Sequence, residues 1–273
     1  MKTKHIIQIA KIISFFLKPF YKKNKIHIRN KIKWLLDLNE GIDLSIFLFG
    51  TSEKKIENLK KLFGLDEKLI IIDIGANVGS ISLPLAKIFN QSKIFAIEPT
   101  NYAFKKLTKN LNLNKELKNN ISLHQFFLSK KNKPRKAWSS WNFDNNNNKH
   151  KQHFGTLHSI KKKSYISLSK FIYLKKIQKI DFIKLDVDGH ELDVLKSGEK
   201  FLKNKKPIIF IEIAPYLYPE FGYTCLELIT YIKKLKYSFY NDNLEKIKNI
   251  DNYINKMTFG GSENFYLIKN YKT

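Results

Sequence analysis

Cysteine is almost missing from this chain: Cys225 is the only one in 273 residues. That excludes an intramolecular disulfide and a cysteine-ligated zinc site, and it fits a reducing compartment such as the cytoplasm. Arginine is nearly as scarce, with Arg29 and Arg135 alone among 50 basic residues. Arginine supplies the planar fork that reads bases and clamps phosphates, so nucleic acid is not the expected partner despite a formal net charge of +26. The accompanying excess of Lys, Asn, Ile, Phe and Tyr is what an A+T-rich coding sequence imposes. The alternative is a selected basic surface that attracts anionic partners such as phosphorylated sugars or membrane lipid. Long apolar runs are missing too. The stretch from Ile6 to Phe20 is too short and too interrupted by Lys11 to span a bilayer, and no small-x-small cleavage site precedes Lys22. With Ile6, Ile9, Ala10, Ile13, Phe16 and Leu17 on one face, it reads as a helix packed on the domain. Otherwise it lies on an anionic inner-membrane surface, with Lys22, Lys23 and Lys25 at lipid phosphate.

What is present is organised around residues 69–83. Four large apolar residues, Asp73, and Gly75 and Gly79 four apart precede a helical pattern of Ile81, Leu85, Ile88 and Phe89. This reads as a buried parallel strand, a tight turn and a crossover helix, with Pro84 within the first turn or so. The glycines let backbone approach a ligand closely. The spacing is not the G-x-G-x-x-G of a dinucleotide site, and Asp73 at the turn would repel a pyrophosphate. A ligand carrying an ammonium and a sulfonium suits it, which is a description of S-adenosylmethionine. Glu98, about 20 residues past the turn at the end of a second strand and held by Pro99, stands where an acid meets ribose hydroxyls.

The remaining organisation follows from periodicity and punctuation. Residues 1–64 read as lead-in elements and 65–273 as the main domain, long enough for one large α/β core. Residues 26–50, including the apolar run Leu44 to Phe49, read as a β-rich cover for one edge of the sheet. A helix from about Ser52, its candidate N-cap, to Phe63 ends at Gly64. A helix over Ala103 to Leu113 and a strand from Ile121 to Phe127 follow, the latter placing His124 and Gln125 near an adenine. At about 129–164 comes a polar insertion carrying Trp138, Trp141, Phe143 and Phe154, which reads either as a sugar-stacking lid or as an anchored disordered segment. Phe221 to Leu235 reads as a helix. Tyr237 to Asn241 and Asn264 to Ile268 read as closing antiparallel strands, joined by a long loop through Gly260 and Gly261.

A second chemical centre runs from Ile180 to Glu191: a buried strand, a turn at Gly189 and a helix closed by Gly198. Lys184 inside the apolar run needs a buried partner, and Glu212 on the next strand is the expected one. Asp186, Asp188 and Glu191 are expected to point outward at the strand's carboxyl end, where open parallel sheets bind ligands. Asp186, Asp188 and Glu212 could ligate a metal, but without a clear histidine partner none is assigned.

Together, Ile-Asp-Ile-Gly-Ala-Asn-Val-Gly at 72–79, Ile-Glu-Pro at 97–99, Asn-Leu-Asn-Leu-Asn at 110–114, Lys-Leu-Asp-Val-Asp-Gly-His-Glu at 184–191 and Ile-Glu-Ile at 211–213 resemble the FkbM family of S-adenosylmethionine-dependent methyltransferases. The resemblance covers about residues 65 to 215. It implies a seven-stranded class I, Rossmann-like sheet, mostly parallel with an antiparallel last strand and helices on both faces. It also implies O-methylation of a sugar or glycan hydroxyl. On that reading Asp73 and Asp186 face the methionyl ammonium, the turn through Gly75, Asn77 and Gly79 packs on the methionyl portion, and Glu98 holds the ribose. Asp188 and Glu191 are the candidates for removing the acceptor proton or orienting the acceptor, with His190 behind them. Two departures stand out: Asp188 replaces the family's usual glutamate, and Ser167-Leu168-Ser169 replaces its Thr-Leu-Asp. Rival readings are an RNA-modifying methyltransferase and a non-catalytic membrane-associated binding protein on the same fold.

Overall fold

The computed structural model of the protein describes residues 25–50, 53–130, 136–141, 155–159, 165–258 and 260–269. The expected helix at 6–20 and the Ser52 cap lie outside them. Among the described residues, no helix is long and apolar enough to cross a membrane.

The first described elements are an antiparallel hairpin of β1 (Lys25–Arg29) and β2 (Ile32–Leu36), then helices α1 (Gly41–Phe49) and α2 (Glu53–Leu62). Two expectations are corrected here. The apolar run Leu44 to Phe49 is helical and ends at Gly50, which donates its N–H to Ile46 O and has a φ of +75° that a side chain would resist. The hairpin also does not shield a sheet edge. Ile32, Trp34 and Leu36 are buried in one core with Leu107, Leu111 and Phe89, so the lead-in covers the helices on one face of the sheet.

The main domain alternates strand and helix. In chain order it runs β3 (Ile70–Ile74), α3 (Ser82–Ile88), β4 (Lys93–Ile97), α4 (Asn101–Leu113) and β5 (Ile121–His124). The third strand stops three residues earlier than expected, and β6 (Phe127–Leu128) pairs instead with β9 (Tyr165–Ile166), on the far side of the insertion. Within the insertion, β7 (Lys136–Trp141) and β8 (Gly155–Ser159) form an antiparallel pair. The lid role expected of its aromatic side chains falls outside the described residues. The chain continues through α5 (Leu168–Leu174), β10 (Phe182–Leu185), α6 (Glu191–Ser197), α7 (Glu199–Lys205) and β11 (Ile208–Ile213). Then come α8 (Cys225–Lys234), β12 (Ser238–Tyr240), α9 (Ile250–Asn255) and β13 (Glu263–Ile268). The helix expected from Phe221 begins at Cys225, after a 3-10 turn over Tyr218–Phe221, with Thr224 and Glu227 forming a reciprocal cap. The loop expected before the last strand contains α9.

Seven strands form one sheet in the order β12-β13-β11-β10-β3-β4-β5. Only β13 runs against the others, antiparallel to both its neighbours. Isoleucine-rich strands suit such a sheet because both faces are covered. Ile72, Ile183, Ile209 and Ile211 pack under α5, α6 and α8, while Ile71, Ile94, Phe182 and Phe210 pack under α3, α4 and the lead-in. The chain leaves β3 toward β4 on one side and returns to β10 on the other. That reversal makes the carboxyl ends of β3 and β10 the switch point of the sheet, the place where open parallel sheets bind ligands.

Candidate cofactor and acceptor site

The turn after β3 is held by backbone: Gly75 N and Ala76 N both donate to Ile97 O, at 2.9 and 3.0 Å. Gly75 has φ +81°, and a Cβ there would sit 1.8 Å from Asp186 O, so the two loops touch through glycine alone. Asn77 also lies in the left-handed region, φ +49°, which asparagine tolerates better than most residues. Its Oδ1 is buried without a hydrogen-bond partner. An orphaned acceptor in a glycine cradle fits a ligand that donates from an ammonium or hydroxyl, and S-adenosylmethionine offers both.

Glu98 is 4% exposed at the end of β4. One oxygen accepts from Thr100 N and Oγ1 at 2.8 and 2.6 Å, the other from Asn77 N at 3.0 Å. The acid therefore ties the glycine turn to the start of α4. Burial pushes its carboxyl up to about 7, against the pull of these donors.

Asp73 departs from its expected place. It is fully buried, accepts from Ser82 Oγ at 2.5 Å, and lies 3.7 Å from Lys184 Nζ. Its charge is spent inside the sheet rather than presented to open space, and burial raises its proton affinity. The expected Lys184–Glu212 pair is likewise corrected. Lys184 stands in register with Asp73 on one side and Phe210 on the other, so Glu212 falls two residues further along β11. The ammonium instead reaches Asp186 Oδ2 at 3.1 Å and donates to Gly75 O at 2.9 Å. Burial alone would lower its proton affinity, but Asp186 and Asp73 outweigh that and keep it charged.

Beyond Lys184, the strand ends gather acids. Ligand oxygens of Asp186, Asp188 and Glu212 lie within 4.8 Å of one another, all on partly exposed residues. Glu212 accepts from Ser262 Oγ at 2.6 Å. Burial and then Asp186 hold its carboxyl well above the usual range. Asp188 has φ +47°. The shorter acid suits this backbone, since aspartate is enriched in the left-handed region and glutamate is not. Tyr216 adds a hydroxyl whose proton affinity is raised by burial and then by Asp188.

Glu191 and His190 are not turned outward. Glu191 is 2% exposed, and its Oε1 accepts from Val187 N at 3.1 Å and Gly189 N at 3.3 Å, clamping the turn that displays Asp188. Burial raises its carboxyl to about 8. His190 packs its ring against Phe127 and Phe221, at 4.9 and 4.2 Å between centroids. His124 is buried among Phe95, Phe126 and Phe171, with its Nε2 unpartnered. Tyr216, Ser262 and Thr100 were not singled out in the sequence. Thr100 was legible as the residue following Glu-Pro at a strand end, whereas Ser262 reaches Glu212 only through the antiparallel pairing of β13 with β11.

A model of the methyltransferase FkbM domain matches residues 73–239, more than half the chain. The chain belongs to the FkbM methyltransferase family. Its domain is thus an S-adenosylmethionine-dependent methyltransferase domain, with both the glycine turn and the acid trio inside the matched span. Over 90 residues the chain is 33% identical to the tRNA(Phe) (4-demethylwyosine(37)-C(7)) aminocarboxypropyltransferase of Pyrococcus horikoshii, covering 33% of this chain and 30% of that protein. Among solved structures, it is similar to an FkbM methyltransferase from Methylobacillus flagellatus, with 17% identity and a TM-score of 0.48 over 82% of this chain and 47% of that one. It is also similar to human methyltransferase 10 domain containing protein, with 12% identity and a TM-score of 0.49 over 100% and 99%. The chain thus spans less than a third of the curated relative and about half of the FkbM structure.

Proposed function

We propose that this FkbM domain transfers a methyl group from S-adenosylmethionine to a hydroxyl of a sugar or glycan. The observation that carries the reading is the partly exposed trio of Asp186, Asp188 and Glu212, set beside the glycine turn at the switch point of the sheet. Bound there, S-adenosylmethionine supplies a methyl group on a positively charged sulfur, so departure of the donor needs no acid. The chain's own task is to hold an acceptor oxygen in line and to take its proton. Asp188 accepts that proton, and Glu212, whose proton affinity is raised by burial and then by Asp186, shares it. Tyr216 orients the acceptor's other hydroxyls. On the donor side, Glu98 and Asn77 hold the ribose and the methionyl end, while Lys184 keeps Asp186 beside them.

RNA modification is a second reading, supported by the short match to a tRNA-modifying enzyme. The local charge favours the first, because a phosphate backbone brought against the carboxylates of Asp186 and Asp188 is repelled.

Calorimetry with S-adenosylhomocysteine on wild type and Glu98→Ala tests the donor site: binding in wild type and its loss in the variant are expected. Tritiated S-adenosylmethionine, supplied with the host's polysaccharide fraction or its total tRNA, tests the acceptor. Label in polysaccharide that disappears in Asp188→Asn is expected. Label in tRNA alone overturns the sugar reading, and a wild type that binds no S-adenosylhomocysteine overturns both.

A further inference from the structure

The Asn-Leu-Asn-Leu-Asn run at 110–114 has no part in the chemistry above, yet two of its asparagines are among the most buried polar residues of the fold. Asn110 is 0% exposed and Asn114 is 1% exposed. Asn110 lies in the last turn of α4 and Asn114, four residues on, caps its end; both meet β2 along the strand edge that β1 leaves unpaired. Asn114 Oδ1 accepts from Lys33 N at 2.9 Å, and its Nδ2 donates to Lys33 O at 2.8 Å and to Asn110 O at 2.7 Å. Asn110 Oδ1 accepts from Leu35 N at 2.8 Å. Up to this point the pair substitutes for a neighbouring strand, supplying side-chain amides where a ladder would supply backbone ones.

Their second bonds differ. Asn114 spends its amide on β2 and on its own helix. Asn110 Nδ2 instead donates to Val78 O at 2.9 Å, inside the glycine turn between Asn77 and Gly79. One planar side chain thus joins the lead-in strand to the loop whose carbonyls, φ-positive residues and orphaned Asn77 oxygen form the donor site. The other side of that loop is fixed by Glu98, through Asn77 N. The turn is therefore pinned at successive residues, at 77 from β4 and at 78 from α4.

We propose that Asn110 is a positioning residue for the methyl-donor site: it couples β2 to the Val78 carbonyl, so the lead-in holds the glycine turn in its binding shape. The inference rests on the reading of that turn as the S-adenosylmethionine site. A loop freed of this tether must be ordered by the ligand, which weakens binding.

The test uses a matched pair in the full chain, Asn110→Asp and Asn114→Asp. Both substitutions keep an oxygen for the β2 amide and lose an amide donor, but only the first releases Val78. S-adenosylhomocysteine affinity by calorimetry is expected to fall about fivefold to tenfold in Asn110→Asp and to stay within about twofold in Asn114→Asp, at comparable losses of melting temperature. Equal affinities, or equal losses, overturn the proposal. A second measurement needs no substitution. In the wild type, S-adenosylhomocysteine is expected to slow hydrogen exchange at Leu35 N more than at Lys33 N, and equal protection of the two overturns it. If the wild type binds no S-adenosylhomocysteine, the site assignment itself fails, an outcome distinct from either of these.

Discussion

Lys184→Met removes the ammonium at the centre of the site while keeping an unbranched side chain out to the ε position. Its consequences follow from what the ammonium touches: Asp73 at 3.7 Å, Asp186 at 3.1 Å and Gly75 O at 2.9 Å. Asp186 is partly exposed and can recruit water, but Asp73 is fully buried and keeps only the Ser82 hydroxyl. Removing one partner of a buried pair costs about 3–5 kcal/mol, because the other charge stays desolvated. At roughly 2–4 °C per kcal/mol for a domain of this size, the melting temperature should fall by roughly 6–20 °C. The pH dependence gives the sign. Burial raises the proton affinity of Asp73, and without Lys184 the main opposing influence is gone. The folded variant then binds a proton that the unfolded chain, with an ordinary carboxyl value of 3.8, does not. Its deficit relative to wild type therefore shrinks as pH falls and grows as pH rises. Thermal melts of wild type, Lys184→Met and Lys184→Met/Asp73→Asn between pH 5 and 8 measure this, and the double variant should recover part of the loss. A drop under about 3 °C, or a deficit that neither acid nor Asp73→Asn reduces, refutes the assignment of Lys184 as counter-charge to Asp73.

Glu191 distinguishes a clamp from a base. With its carboxyl raised to about 8, glutamine copies the form held at neutral pH and keeps both backbone contacts. Glu191→Gln should therefore retain label transfer within about threefold, whereas Glu191→Ala should lose about 2 kcal/mol of stability in denaturant titrations. His124 carries an acid-sensitive share of stability: burial lowers its imidazole from 6.5 to about 4. That contribution is complete above 6.5 and fades as pH falls toward 4, so His124→Phe melts should lose less than wild type over this window. Equal acid sensitivity of the two proteins would show that the imidazole enters the fold already charged.

How much was legible beforehand depends on the range of the interaction. Runs such as Ile70 to Ile72 and Ile208 to Ile211 declare strands covered on both faces, because nothing else in a chain with so few long apolar stretches could be buried so completely. Gly75, Asn77 and Gly79 declared a turn, and all three have positive φ. Glu98 at the end of the next strand followed from the length of one crossover. Residues 44–49 misled because a short apolar run has no periodicity that separates helix from strand.

Composition and spacing by themselves therefore determined the α/β alternation, the place of the glycine turn and the presence of acids at two strand ends, since each depends on neighbours a few residues away. Only the folded chain decided which charges meet. Strand register put Lys184 beside Asp73 and two residues short of Glu212, and the turn after β10 folded Glu191 back on its own amides while leaving Asp188 displayed. An antiparallel last strand brought Ser262 to Glu212, and helix packing let Asn110 reach both Leu35 and Val78. These partners are separated by tens of residues or by a backbone reversal, and the free energy that pairs them arises from excluding water around them together. No local pattern records that.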